Sequence, residues 1–189
     1  MEDNFISLQN HFLIAMPLLN DFNFARAVVY ICAHTRNGAM GVIVNRQISE
    51  INLGEVMAQM DINITNEAVS DVPVFLGGPV QPERGFIIHP PFGSWQSTLL
   101  IGDNLAVTSS QDILHAMAKG DGPEEFLVIL GYVGWEEGQL EEEVANNYWL
   151  TTPAVSEILF HTPSEDRWKA AAALIGIDIA NISSETGHA

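Results

Sequence analysis

The chain has 189 residues, of which 47% are apolar and only 16% are charged, so we expect a single globular domain over residues 1–189. Its 24 acidic residues against 7 Lys and Arg give a formal charge of −17. Because nucleic acids and anionic membranes are bound through Lys and Arg, this balance argues against direct nucleic-acid binding and against membrane binding.

Cysteine content and the apolar segments indicate a compartment. Cys32 is the only cysteine, which excludes an intramolecular disulfide. Residues 1–10 lack the basic start and the apolar run of a secretory signal. The apolar stretch Phe12–Leu19 is too short for a membrane span and contains Pro17. The sequence therefore predicts a cytoplasmic protein in which Cys32 is buried and unreactive.

The first third of the chain contains three predicted strands. His11–Pro17 is a strand ended by its proline. Ala27–His34 is apolar at every alternating position, which is typical of a central strand covered on both faces. An Asn-Gly turn at Asn37 then leads into a partner strand, Gly38–Arg46.

A short helix is predicted to follow. Asn52 is a suitable N-cap residue, and Glu55 three positions later completes the pattern of a capping box. The apolar residues recur at helical spacing and predict one buried face: Leu53, Val56, Met57 and Met60.

The rest of the chain contains further strands and two more clear helices. The strands are predicted in VPVFLGG, Arg84–Pro90, TLLIG, LAVTSS and Glu125–Tyr132. One helix is predicted to be capped by Ser109 and closed by Gly120. The last helix should open at Thr162 and end at Gly176, with one apolar face: Trp168, Ala171, Ala172 and Ile175. Both chain ends, about 1–9 and 181–189, are expected to be frayed.

These elements indicate a fold class. Most strands are joined by hairpin-type turns, and about four helices are scattered among them. Strands and helices do not alternate regularly, as a doubly wound sheet would require. The sequence therefore predicts an α+β fold with a largely antiparallel or mixed sheet.

The densest polar segment is GWEEGQLEEE, residues 134–143. In a helix starting near Gly138, the successive residues Glu141, Glu142 and Glu143 turn by about 100° each, so they cannot converge on one ion. The preferred interpretation is a solvated helix start stabilised by the helix dipole, with Leu140, Val144 and Tyr148 on its buried face. The alternative is a docking surface for a basic protein partner, with Glu136, Glu137 and Glu141 as candidate contacts.

The scarce basic groups provide a second candidate site. Arg46 and Arg84 each adjoin a strand end, and His89 ends an apolar strand before Pro90. Each arginine is interpreted either as a clamp on a carboxylate or as the binding group for an anion. If the three side chains were neighbours, they would form a pocket for a small molecule, or an active site in which His89 works with a hydroxyl or carboxylate.

Motifs for cofactors and metals are not found. The glycine-rich GGPVQPERG lacks the endings of a phosphate-binding loop and of a dinucleotide fold. The six histidines are dispersed without the spacing of a zinc site. We therefore predict no cofactor and no metal.

Several motifs together resemble the AlgH/YqgE-like family. They are HFLIAMP, YICAHTRNGAMGVIVNR, FLGGPVQPERGFIIHP, AVTSSQDIL, LGYVGWEEGQLEEEVANNYWL and LIGID, and they cover roughly His11 to Asp178. One position departs from the family pattern, because Ala33 stands where a glutamate is expected before His34. The resemblance implies a bifurcated, strongly bent sheet surrounded by helices in a bacterial cytoplasmic protein. It supplies no catalytic residues, although the family has been called a transcriptional regulator.

Two functions follow as hypotheses. The first is a non-catalytic regulatory or protein-interaction module that acts through a protein partner, since the chain has no basic arm for DNA. The alternative is a small-molecule-binding protein or an enzyme with a pocket near Arg46, Arg84 and His89.

Overall fold

The computed structural model describes residues 4–182. Over that range the chain forms ten strands and six α-helices. The strands are β1 (His11–Ala15), β2 (Val28–Thr35), β3 (Gly38–Ile43), β4 (Gln47–Asn52), β5 (Pro73–Leu76), β6 (Val80–His89), β7 (Thr98–Ile101), β8 (Leu105–Thr108), β9 (Leu127–Trp135) and β10 (Trp149–Pro153). The helices are α1 (Leu53–Gln59), α2 (Asp112–Lys119), α3 (Gln139–Ala145), α4 (Ser156–Phe160), α5 (Arg167–Ala173) and α6 (Ile179–Ile182).

The sheet forks at β9. Its main path runs in the order β10-β1-β2-β3-β9-β6-β8-β7, and every pairing along it is antiparallel. One edge of β9 is shared: its first half pairs in parallel with β5, which also pairs with β4, and its second half pairs with β3. The predicted α+β fold with a mixed, bifurcated and bent sheet is therefore confirmed.

Glycine allows the fork to form. Gly131 lies between the two halves of β9 with φ +78°, a conformation that other residues rarely adopt. A Cβ atom there would collide with the carbonyl oxygen of Gly78. Beside it, the Gly77 N–H donates to Leu130 O at 2.7 Å and the Gly77 carbonyl accepts from Ile43 N–H at 2.7 Å, so the chain after β5 bridges both branches.

Both faces of the sheet are covered. Tyr30 and Cys32 of β2 lie in the core beneath α4, α5 and α6, whereas Val29 and Ile31 pack on the opposite face with Leu140 of α3. A third apolar cluster lies beneath α1 and α2. The predicted burial of β2 on both faces is confirmed, as is that of Cys32, which is 2% exposed.

The helix predictions were correct for α1 and for the start of α3 at Gly138, and partly wrong for α2 and α5. The capping box of Asn52 and Glu55 is present. However, α2 starts at Asp112 and not after a Ser109 cap, because Ser109 continues the antiparallel pairing: its N–H donates to Ser97 O at 3.0 Å. The Thr162 start is also wrong: a 3-10 turn at Ser164–Asp166 precedes α5.

Two side chains predicted to be buried are not. Tyr148 is 47% exposed and Ile175 is 39% exposed, because each lies just beyond its helix, where the chain has already left the helical path. No helix among the described residues has the length and hydropathy needed to cross a membrane.

The two chain ends were expected to be frayed. Within the described residues, the Ser7 hydroxyl donates to His34 O at 3.0 Å and the Gln9 amide donates to Cys32 O at 3.0 Å, which ties this segment to β2. At the other end, α6 includes residues 181 and 182. Residues 1–3 and 183–189 lie outside the described residues.

Candidate functional site

The carboxylate-rich segment supplies a hydrogen-bond acceptor to buried donors of the core. Gly138, with φ +77°, precedes α3 and turns the chain so that Glu143 faces inward. One oxygen of Glu143 accepts the indole N–H of Trp135 at 2.9 Å and that of Trp149 at 2.8 Å. Both tryptophans are at least 94% buried, so this carboxylate satisfies two donors that have no access to bulk water.

Glu141 is engaged by a buried histidine. The Leu8 N–H donates to His34 Nδ1 at 2.8 Å, so the ring proton lies on Nε2, which donates to Glu141 Oε1 at 2.8 Å. Phe5 contacts the same ring edge-on, with ring centroids 4.9 Å apart. This bond network therefore joins the start of the chain, β2 and α3, and it assigns Glu141 a structural contact.

The acidic segment thus has two parts. Glu141, Glu142 and Glu143 diverge, as their spacing predicts, and two of them are bonded within the protein. Glu136 and Glu137 are exposed, and no side-chain bond to a described residue is found for either. Of the three candidate partner contacts, only Glu136 and Glu137 present free carboxylates on the surface.

Arg46 stabilises a loop. Its guanidinium donates to the carbonyl of Asn23 and, at 3.3 Å, to that of Ala25. No carboxylate of a described residue lies within ion-pair distance of it. Arg46 therefore clamps backbone carbonyls, and it lines a small cavity of about 220 Å³ that also contains Leu76 and Pro82.

His89 belongs to a buried chain of hydrogen bonds. Its Nδ1–H donates to Pro90 O at 2.7 Å, so Nε2 accepts from the Thr108 hydroxyl at 2.8 Å, and that oxygen in turn accepts from Thr98 at 2.8 Å. Burial lowers the pKa of His89, and this outweighs the opposing effect of the bond to Pro90. The ring is neutral at physiological pH and fully bonded.

The register of β6 separates Arg84 from His89. Residues 85 to 88 pair with β9 without a bulge, so alternate side chains face opposite sides of the sheet. Arg84 shares a face with Phe86, and His89 shares the other face with Ile87. Arg84 lines two cavities, Arg46 lines a third, and His89 lines none of the three. The structure does not bring the three residues into one pocket.

The larger of the two cavities that Arg84 lines is a groove. This groove, which we call the Arg84 groove, has a volume of about 570 Å³. The Arg84 guanidinium lies 5.2 Å from the centroid of the Phe86 ring, and no carboxylate of a described residue is within ion-pair distance. Strands β2, β3, β6, β7, β8 and β9 contribute the remaining walls, which include Met40, Leu99, Val107 and Tyr132 together with the polar residues Gln96, Ser97 and Ser109.

The groove offers binding groups and no activated nucleophile. Cys32 lines it, but burial raises the pKa of its thiol to about 12, so the sulfur stays protonated and unreactive at neutral pH. Among residues 4–182, no three His, Cys, Asp or Glu side chains converge as metal ligands would. What remains is one cation, several polar groups and an apolar wall, a combination suited to holding an anion.

Sequence reasoning found Arg84 but missed most of its surroundings. Gln96, Ser97, Ser109 and Tyr132 come from three separate segments, and the pairings of β7 with β8 and of β6 with β8 and β9 bring them together. The scarcity of arginine was the one signal available. No local pattern marked Glu143, whose partners lie 8 residues before it and 6 after it.

Comparison with known proteins assigns the family. A model of AlgH-like proteins matches residues 12–180. The chain belongs to the AlgH-like family. Curated relatives include UPF0301 proteins of Nitrosococcus oceani, 51% identical over 96% of both chains, and of Dechloromonas aromatica, 50% identical over 97% of this chain and 98% of the relative.

Solved structures agree with this family assignment. The solution structure of the AlgH protein from Pseudomonas aeruginosa superposes with a TM-score of 0.79 at 46% identity, covering 100% of both chains. A crystal structure of a Corynebacterium diphtheriae protein shares the fold, with a TM-score of 0.73 at 19% identity, over 97% of this chain and 94% of the other. The names of these proteins specify no reaction and no ligand.

Proposed function

We propose that this AlgH-like protein is a non-catalytic binding module, and that the Arg84 groove takes a small anionic molecule with an apolar body. The carrying observation is the position of the Arg84 guanidinium over Phe86 in a groove, 5.2 Å from the ring centroid. We further propose that the protein works in the cytoplasm, because it has a single cysteine, which is buried.

Arg84 is distinguished by its position: like Arg46 it has no described carboxylate within ion-pair distance, but it lies in a groove with apolar and polar walls. The protein has 24 acidic residues and only 7 Lys and Arg, yet neither Arg84 nor its groove is neutralised by a described carboxylate. A guanidinium binds carboxylate or phosphate through paired hydrogen bonds, and contact with an aromatic ring orients its plane. A ligand carboxylate or phosphate therefore has a prepared partner at this position.

The walls of the groove specify the rest of the ligand. Phe86, Val107 and Tyr132 offer apolar surface, and Ser97 and Ser109 add hydroxyl groups near Arg84. A volume of about 570 Å³ falls in the range of small-molecule sites. The arrangement fits a molecule with an anionic head at Arg84 and a flat or aliphatic body along the apolar wall.

The first test is a thermal-shift screen with small carboxylates and phosphates that bear aromatic or aliphatic groups, each paired with its neutral amide or alcohol. A ligand at one hundred times its dissociation constant stabilises the folded state by about 2.7 kcal/mol. For a domain of this size, the melting temperature should rise by several degrees, roughly 5–10 °C. Only the anionic member of each pair should give this rise.

The decisive comparison uses two variants that remove one cation each. Arg84→Ala should abolish the shift and weaken binding at least tenfold by calorimetry. Lys119→Ala, at the exposed end of α2, should leave both measurements unchanged. A flat screen, or a hit whose affinity is the same in Arg84→Ala, would show that this groove is not the site.

A protein partner is the second candidate. The exposed carboxylates of Glu136 and Glu137, in a protein of charge −17, favour a basic partner, and any regulatory effect would then be indirect. Reversing Glu136, Glu137 and Glu142 to Lys should weaken such a complex without unfolding the protein. Glu141 and Glu143 must stay unchanged in this test, because they bond His34 and the two tryptophans.

A further inference from the structure

Strand β7 is an open edge of the sheet. It lies at the end of the strand order and, within residues 4–182, pairs only with β8. The Ser109 N–H donates to Ser97 O at 3.0 Å, which fixes the hydrogen-bonding phase of this antiparallel pair. Residues 97, 99 and 101 therefore direct their backbone groups toward β8, whereas Thr98 and Leu100 direct theirs away from the sheet.

Those outward groups have no partner among residues 4–182. No backbone or side-chain hydrogen bond from a described residue reaches the N–H or C=O of Thr98 or Leu100. They form a short row of donors and acceptors at the spacing of a β-ladder. Such a row is the template on which an extended segment of another chain adds as a strand.

The side chains of β7 favour the addition of another strand at this edge. Leu99 is 47% exposed on the face of the Arg84 groove, and Leu100 is 64% exposed on the opposite face. Exposed edges in natural proteins usually include a lysine, a proline or a bulge that prevents pairing. Residues Thr98–Ile101 contain no charge and no proline, and their pairing with β8 is regular.

Carboxylates stand at both ends of the strand. At its start, Asp112 accepts the Gln96 N–H at 2.7 Å, and at its end Asp103 is exposed in the hairpin that leads to β8. An extended chain that runs from one to the other spans seven residues, about 23 Å. A matching segment would place a basic residue at each end of a short apolar stretch.

We propose that β7 is a docking edge for an extended segment of a partner protein, in which about four apolar residues are flanked by Lys or Arg. The segment would bond to Thr98 and Leu100 through its backbone and would pack its side chains on Leu99 and Leu100. This surface shares Leu99 with the wall of the Arg84 groove, but its backbone groups belong to Thr98 and Leu100 and Arg84 takes no part in it.

Charge selects this partner over a second copy of the protein. Two copies of charge −17 that approach through their β7 edges repel each other and bring four carboxylates together at the strand ends. A basic segment is attracted at long range by the whole protein and at short range by Asp103 and Asp112.

The test begins with selection of random heptapeptides displayed on phage against the wild-type protein. Enriched peptides should share an apolar centre with flanking Lys or Arg. The best peptide, synthesised and titrated into ¹⁵N-labelled protein, should shift the amides of Thr98 and Leu100 and slow their hydrogen exchange. Leu100→Lys, which places a charge on the edge, should weaken binding at least tenfold.

Control variants show whether a loss of peptide binding is specific to β7. Leu174→Lys, at another exposed leucine after α5, should bind as the wild type does. Asp103→Asn should weaken binding at low salt and have little effect at high salt. The proposal is overturned if no motif is enriched or if Leu100→Lys binds normally. It is equally overturned if the free protein already protects the Thr98 and Leu100 amides, since the chain itself or a second copy then covers the edge; sedimentation distinguishes these two.

Discussion

The segment around α3 and the Arg84 groove both contain charged side chains beside aromatic rings, but they use them differently. At α3, Glu143 is bonded to two buried indoles and Glu141 to a buried histidine. In the groove, the Arg84 guanidinium lies over Phe86 without a described carboxylate partner. The charges of the α3 segment are therefore mainly structural. Arg84, the single cation of the groove, is the better candidate for binding a ligand.

This difference follows from how polar groups are satisfied. A buried donor without an acceptor costs about 1–3 kcal/mol, so a carboxylate that serves two donors is strongly coupled to the stability of the fold. An exposed cation with no partner contributes little to stability and remains available to an external anion. The comparison predicts opposite responses to mutation in the two regions.

The largest effect is expected for Glu143→Ala. The change leaves the indole N–H groups of Trp135 and Trp149 without an acceptor, so the free energy of unfolding should fall by about 3–5 kcal/mol. Urea denaturation followed by tryptophan fluorescence measures this. The exposed neighbour Glu142→Ala is the control and should stay within about 0.5 kcal/mol of the wild type. Equal losses of stability in Glu143→Ala and Glu142→Ala would show that the bonds to the two indoles are not what stabilises the fold.

A smaller loss, about 1–3 kcal/mol, is expected for His34→Ala. The variant removes the acceptor for Leu8 N–H and the donor to Glu141, so the segment before β1 should exchange its amide protons faster. Hydrogen exchange at Leu8 and urea denaturation report the two consequences. His115→Ala, on the exposed side of α2, should change neither. Unchanged protection of Leu8 would argue against the role assigned to His34.

His89 should make stability depend on pH. Its folded pKa lies below the ordinary value of 6.5, so the unfolded chain binds the proton more readily, and stability should fall as the pH drops from 6.5 toward the folded pKa. Denaturation midpoints of the wild type and His89→Gln between about pH 5 and pH 8 test this. The difference between the two proteins is the readout, because the raised pKa of His161 acts in the opposite direction in both. Parallel curves would contradict the assignment.

The smallest effect on stability is expected for Arg84→Ala. Its guanidinium is bonded to no carboxylate of a described residue, so the free energy of unfolding should change by no more than about 0.5 kcal/mol. Thermal and urea unfolding without ligand measure it. A loss of several kcal/mol would mean that Arg84 is a structural residue like Glu143, and the two regions would no longer differ.

Local patterns predicted part of this fold well. The capping box at Asn52 and Glu55 involves atoms three residues apart, and the apolar alternation of β2 reflects the faces of a single strand, so short sequence windows were sufficient for both. The start of α2 was wrong because a tertiary bond intervenes: Ser109 N–H donates to Ser97 O of the chain entering β7. Helix propensities of individual residues do not account for such a long-range bond.

The candidate site shows the same limit. The sequence indicated that Arg84 is chemically unusual, and it suggested Arg46 and His89 as neighbours because all three lie near strand ends. The regular pairing of β6 with β9 places Arg84 and His89 on opposite faces, and Arg46 is occupied by the loop at Asn23 and Ala25. Proximity to a strand end does not specify which face a side chain takes.

By itself, the sequence determined the fold class, the family resemblance, the burial of Cys32 and the divergence of Glu141, Glu142 and Glu143. The resemblance rests on motifs spread along the chain, and the other properties depend on composition, on periodicity and on angles along one element. Tertiary structure alone decided which carboxylates face inward, where Arg84 lies and which edge of the sheet is open. Those properties arise from pairings such as β5 with β9 and β6 with β8, which join residues far apart in the chain. No local energy specifies such pairings, because their stabilisation exists only when the whole sheet has formed.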